Sequence, residues 1–270
     1  MNKKITKLIM DMDGVLWHGD TPMPGLVDYF HALDTAGIDY ILATNNATKR
    51  IVQYAEKLAG FGVHVPAEKI LTSAESTAVY LAEEYDLDTP IYIVGDSGLY
   101  EAITSHGFRI LSPADVRNGE FAPVVVVGLS RTITYEGLAM AAHLVERGAR
   151  FIGTNPDASF PSEIGPLPGS GAIIAVVEAS TGVTPFIIGK PAPVMFHEAI
   201  DRLGGDPDTI AMVGDRLSTD IAGGRDAGLQ TIMVLSGIST REEAEQGDIH
   251  PDYIVDDISA IPDLLKNGQS

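Results

Sequence analysis

Two aspartates one residue apart, Asp11 and Asp13, close the short apolar run Leu8-Ile9-Met10 and are followed at once by Gly14. In an extended chain alternate side chains leave on the same face, so both carboxylates can serve one site. Such a pair repels itself, and Asp215, which follows Met212-Val213-Gly214, would add a third negative charge. Three carboxylates are tolerated together around a hard cation with oxygen ligands, and magnesium suits them best. An ionised aspartate is also a nucleophile that needs no base, because its ordinary pKa of about 3.9 leaves it charged at neutral pH. Its handicap toward a phosphate ester is repulsion, about 4 kcal/mol for unit charges ~4 Å apart at an effective dielectric of about 20. That is about three decades in rate, so a cation and a nearby ammonium are required.

Asp13 fits the complementary proton-transfer role, protonating a leaving alkoxide and later taking a proton from water. Gly14 permits a sharp departure of the backbone and close approach of a substrate. A second apolar run ends in Thr44-Asn45-Asn46, just before a helical pattern from Thr48. Donors there, aided by the positive end of the helix, suit phosphate oxygens. Lys190, between Gly189 and Pro191, is the cation at a strand-to-helix junction, where its ammonium can balance the nucleophile and the transferring group. Asp220 follows Gly214-Asp215 at a distance that allows it to support the same site.

Each feature also has a plainer meaning. An isolated Asp-x-Asp is usually a solvated turn, a Lys-Pro pair starts a helix, and Thr-Asn-Asn caps one. Val94-Gly95-Asp96 imitates Val213-Gly214-Asp215, and Thr154-Asn155 imitates Thr44-Asn45. Trp17 and His18 can contact substrate or pack locally, and His197 reads as a surface or packing residue of a helix.

These residues need a scaffold that gathers chain ends. Apolar runs of buried-strand type alternate with helical periods, which predicts a doubly wound, Rossmann-like α/β fold with a parallel sheet and ligands outside the carboxyl ends of its strands. Strands are expected at Leu8–Met10, Tyr40–Ala43, Ile210–Val213, Thr231–Leu235 and Tyr253–Val255. The middle of the chain has its own set at Ile91–Val94, Val124–Val127, Arg150–Gly153 and Phe186–Ile188. This predicts a core of residues 1–78 and 187–270 interrupted by a smaller α/β unit, 79–186. The 270 residues suit two domains.

A net charge of −19, from 37 acidic and 18 basic residues, argues against nucleic acid as a partner. It also requires local positive charge wherever a phosphate binds. The absence of cysteine removes disulfides, thiolate metal sites and a cysteine nucleophile. No stretch approaches the ~20 apolar residues of a membrane span. Residues 1–10 reach Asp11 too early for a signal peptide, so the expected location is cytoplasmic.

Taken together, Asp11-Met12-Asp13-Gly14-Val15, Thr44-Asn45-Asn46, Gly189-Lys190-Pro191 and Gly214-Asp215 with Asp220 resemble the haloacid dehalogenase superfamily of phosphatases. More narrowly, the chain resembles the NagD and p-nitrophenylphosphatase-like branch, in which an α/β cap is inserted between the second and third motifs. Thr154-Asn155-Pro156-Asp157 and Pro168-Gly169-Ser170-Gly171-Ala172 look like that branch's cap motifs. The resemblance implies magnesium-dependent hydrolysis of small phosphate monoesters through an aspartyl-phosphate on Asp11, with Asp13 as acid and base. It implies magnesium held by the Asp11 carboxylate, the Asp13 backbone carbonyl and Asp215, with Asp220 in support. Thr44, Asn45, Asn46 and Lys190 would hold phosphate. The implied partner is a small phosphorylated metabolite, and a homodimer is a compatible assembly. Two alternatives carry their own signatures: a phosphotransferase or mutase would yield a phosphorylated product, and a non-catalytic sensor would stay phosphorylated on Asp11 without turnover.

Overall fold

The apolar runs fold as strands because their residues find cover on both faces; Leu8, Ile9 and Met10 are all buried, as is every residue from Ile210 to Gly214. A computed structural model describes residues 4–160, 162 and 164–267. In chain order, β1 (Lys7–Met10) is followed by a short antiparallel hairpin, β2 (Trp17–His18) and β3 (Thr21–Pro22), then by β4 (Asp39–Thr44) and β5 (Ile70–Thr72). Next come β6 (Ile91–Val94), β7 (Ile110–Leu111), β8 (Val124–Val127), β9 (Arg150–Gly153), a second hairpin of β10 (Ser159–Phe160) and β11 (Leu167–Pro168), and β12 (Phe186–Ile187). The chain ends with β13 (Ile210–Gly214), β14 (Gln230–Val234) and β15 (Tyr253–Val255).

Two units result. One comprises the chain to Thr44, Val52–Leu71 and the chain from Lys190; the other comprises Asn45–Ile51 and Thr72–Gly189. The first unit is built on a six-stranded sheet in the order β15-β14-β13-β1-β4-β5, with β13, β14 and β15 parallel to one another and β1 parallel to β13 and β4. Ile9, Ile41, Ala43 and Met212 pack with Met195, Phe196, Ala199 and Leu203 of the helix Pro193–Leu203. From β1 the order runs one way to β4 and β5 and the other way to β13, β14 and β15. The carboxyl end of β1 is therefore the switch point at which open α/β sheets form their binding crevice.

The second unit has its own parallel sheet, β12-β9-β8-β6-β7, covered in part by the helices Tyr135–Glu146 and Ser170–Thr181. The division differs in detail from the limits expected at 78 and 186. The first of those cuts the helix Ser73–Glu84, whose N-cap Thr72 accepts a bond from the Glu75 N–H. The second separates Phe186 from Ile187, which pair together with β9. Cooperative elements set the boundary, and a change in composition does not reveal where a helix begins.

Candidate active site

Asp11 is the first residue beyond β1, and its N–H donates to the Val213 carbonyl at 2.9 Å, so it continues the line of the sheet. Lys190 is buried, precedes the helix Pro193–Leu203 and is joined to Pro191 by a cis peptide. Its ammonium donates to Asp11 Oδ1 at 2.7 Å and to the Ala43 carbonyl at 2.9 Å, and lies 2.8 Å from Asp220 Oδ1. Asp215 follows Gly214, the last residue of β13, and Asp220 sits in the π-helical turn Leu217–Ile221. Oxygens of Asp11, Asp215 and Asp220 all lie within 4.8 Å of one another. The ends of β1 and β13, the turn Leu217–Ile221 and the residue ahead of the helix Pro193–Leu203 thus bring three carboxylates and one ammonium together.

The electrostatics follow from that crowding. Burial raises the Asp11 carboxyl, the Lys190 ammonium lowers it, and Asp220 and Asp215 raise it again, for a net shift well upward. Burial, with Asp220 adding to it, pushes the Asp215 carboxyl up to about 6, against the lowering effect of the Ile238 N–H and Lys190. For Lys190, burial alone would lower the ammonium, but Asp11 and Asp220 outweigh it and the net shift is upward. When ionised, three carboxylates against one ammonium leave two negative charges.

That charge and an all-oxygen donor set fit a hard divalent cation. Both Asp220 oxygens are engaged, Oδ1 by Lys190 and Oδ2 by the Arg216 N–H at 3.1 Å. Asp11 and Asp215 each keep one carboxylate oxygen with no partner among the described residues, which leaves those two oxygens available to a ligand. Gly14, with φ at 86°, gives the close approach the site needs, since a Cβ there would lie 2.6 Å from Asp215 Oδ2.

Asp13 stands apart from this cluster. It is exposed, and Oδ1 accepts a 2.7 Å bond from Trp17 Nε1. The carboxylates gathered side by side are therefore 11, 215 and 220 rather than 11, 13 and 215, because the chain turns around Asp13, with the Leu16 N–H on the Met12 carbonyl at 2.8 Å, and the Asp13 carboxylate is held by Trp17 instead. Thr44 is buried at the end of β4, next to the carbonyl that receives Lys190. Asn45 and Asn46 belong to the second unit. There Asn45 Nδ2 donates to Asp157 Oδ2 at 3.2 Å, and Asn46 Oδ1 accepts from the Thr48 N–H at 3.0 Å, turning the chain toward the helix Ile51–Gly60. Of the imitating motifs, Asp96 accepts from the Arg131 N–H within the second unit, and Asn155 donates to the Asn45 carbonyl and to Ser170 Oγ. His197 is exposed on its helix.

Sequence reasoning overlooked the loop after β14. The Ile238 N–H donates to Asp215 Oδ2 at 2.8 Å, the Ser239 N–H to the Asp215 carbonyl at 3.0 Å, and Ser236 Oγ to the Gly14 carbonyl at 2.8 Å. The signal that could have found it is positional, since this loop leaves the carboxyl end of the strand beside β13. Of the two readings open for Trp17, substrate contact or packing, the structure shows a fully buried side chain with its indole N–H on Asp13.

The family described as haloacid dehalogenase-like hydrolase matches residues 8–109, and a second HAD-hydrolase-like family matches residues 187–261. An acid sugar phosphatase of Staphylococcus aureus is 40% identical over 98% of this chain and 100% of its own. The crystal structure of a 4-nitrophenylphosphatase from Thermotoga maritima superposes with a TM-score of 0.89 at 33% identity, covering 96% of this chain and 97% of that one. NagD from Escherichia coli K-12 gives a TM-score of 0.86 at 32% identity, over 95% and 98% of the two chains.

Proposed function

Because the chain belongs to the haloacid dehalogenase-like hydrolases and is a phosphatase of their NagD-like branch, we propose that it hydrolyses small phosphate monoesters through an aspartyl-phosphate on Asp11, with magnesium as cofactor. Sugar phosphates and p-nitrophenyl phosphate are the substrate types that its relatives' names support. The observation that carries the mechanism is the Lys190 ammonium, 2.7 Å from Asp11 and 2.8 Å from Asp220 in a buried setting.

In the first step the Asp11 carboxylate forms a bond to phosphorus, the ester P–O bond breaks, and the departing oxygen takes a proton from Asp13. In the second step water attacks the same phosphorus, the bond to Asp11 breaks, and Asp13 recovers its proton from the water. Lys190 keeps charge balanced at the nucleophile and, with Thr44, is proposed to bind phosphate oxygens. The Asp11 and Asp215 carboxylates and the Asp13 carbonyl would hold the magnesium, which supplies positive charge against the phosphoryl oxygens when bound.

Asp11→Asn removes the nucleophile while keeping its shape, and phosphate release from p-nitrophenyl phosphate in magnesium is expected to fall to background. Acid-quenched wild-type protein mixed with labelled substrate should carry phosphate on Asp11. Undiminished turnover by the purified Asn variant would overturn the assignment.

A further inference from the structure

We propose that Trp17 is a positioning residue for the leaving-group proton, acting by fixing the Asp13 carboxylate through its indole N–H; this rests on the acid role proposed above for Asp13. Asp13 is exposed, and among the described residues its carboxylate has one partner, Trp17 Nε1 at 2.7 Å. An exposed aspartate otherwise spreads over three staggered χ1 wells, and only a fraction of that population faces a bound ester. The indole is a donor with no acceptor capacity, so it pins one carboxylate oxygen and leaves the other to carry and deliver the proton.

The donor is itself held from several sides. Trp17 is fully buried, and its carbonyl receives the Gly14 N–H at 2.8 Å, so the same residue fixes the backbone just beyond Asp13. Lys57 Nζ lies 4.4 Å from the indole centroid and donates to the Gly19 carbonyl at 2.6 Å, at the turn of the β2–β3 hairpin. The Phe61 ring also packs against the indole, at 6.1 Å between centroids. A buried indole whose single polar atom is spent on an exposed carboxylate serves that carboxylate more than the core, since packing alone would be met by a phenyl ring.

The test uses two substrates that differ in how much acid help their leaving group needs. The value of kcat/KM reports the steps through cleavage of the ester bond, and an alkoxide requires a proton there while p-nitrophenolate does not. In Trp17→Phe, kcat/KM for a hexose 6-phosphate is expected to fall about tenfold or more, and for p-nitrophenyl phosphate by less than about threefold. A purely structural role would lower both equally, because the folded fraction multiplies both values. Equal losses, or none, would overturn the inference. Lys57→Met, which loosens the indole without touching Asp13, is expected to give the same selective loss to a smaller degree, and carries the test if the Phe variant does not fold. Asp13→Asn separates the two levels. If it too spares the hexose phosphate, the acid role of Asp13 falls; if it abolishes that reaction selectively while Trp17→Phe does not, only the role of Trp17 falls.

Discussion

Lys190 is the residue on which the charges of the site turn. It is buried between Asp11 and Asp220, and removing one member of such a group leaves the others uncompensated. Lys190→Met is expected to lower turnover by about a hundredfold or more and to destabilise the chain by about 3 kcal/mol in chelator, both readable by assay and by thermal unfolding. Asp215 makes a second prediction. Its carboxyl is pushed up to about 6 from an ordinary 3.8 by burial and by Asp220, so the folded chain holds that proton more tightly than the unfolded one. The resulting contribution to stability is complete below the ordinary value and is lost as pH rises through about 6. Cation-free protein should therefore lose stability across that window, and magnesium, which binds the ionised form, should restore it above. Melting curves in chelator and in magnesium test this, and an Asp215→Asn variant with an unchanged pH slope would contradict it.

Among the elements, the ends of β1 and β13 bring in Asp11 and Asp215, and the loop 235–239 tightens the site. Ile238 and Ser239 present two backbone N–H groups to Asp215, and Ser236 reaches across to Gly14. At Gly237 a Cβ would collide with the Asp215 carboxylate, so the chain passes there only because no side chain is present. Gly237→Ala is expected to raise the magnesium concentration for half-maximal activity by about tenfold, the scale typical of disturbing groups that orient a metal ligand. Isothermal titration of magnesium reads the same loss without turnover. Strand positions were legible from apolar runs, and β6, β8, β9 and β15 fall where the runs predicted. The two-residue strands β2 and β3 were not, because so short a hairpin has no periodicity to detect and is held by Trp17 and Lys57 instead.

For the molecule as a whole, the net charge of −19 opposes the arrival of a phosphate ester and favours that of a divalent cation. Magnesium should stabilise the fold by mass action, about 2.7 kcal/mol at a hundredfold excess over its dissociation constant. Differential scanning calorimetry should show that gain in wild type and its loss in Asp215→Asn; an equal gain in both would place the cation elsewhere. No helix among the described residues is long and apolar enough to cross a membrane. The sequence alone determined the parallel α/β class, and it pointed to the carboxyl ends of the strands and to Asp11, Lys190, Asp215 and Asp220 as candidates, because apolar period and the residue ending each run are local properties of the chain. Only the tertiary structure decided that Asp220 rather than Asp13 completes the carboxylate cluster, that Trp17 holds Asp13, and that Ile238 holds Asp215. Those contacts depend on where the backbone turns after a strand and on which distant loop arrives beside it, and neither is written in the spacing of residues.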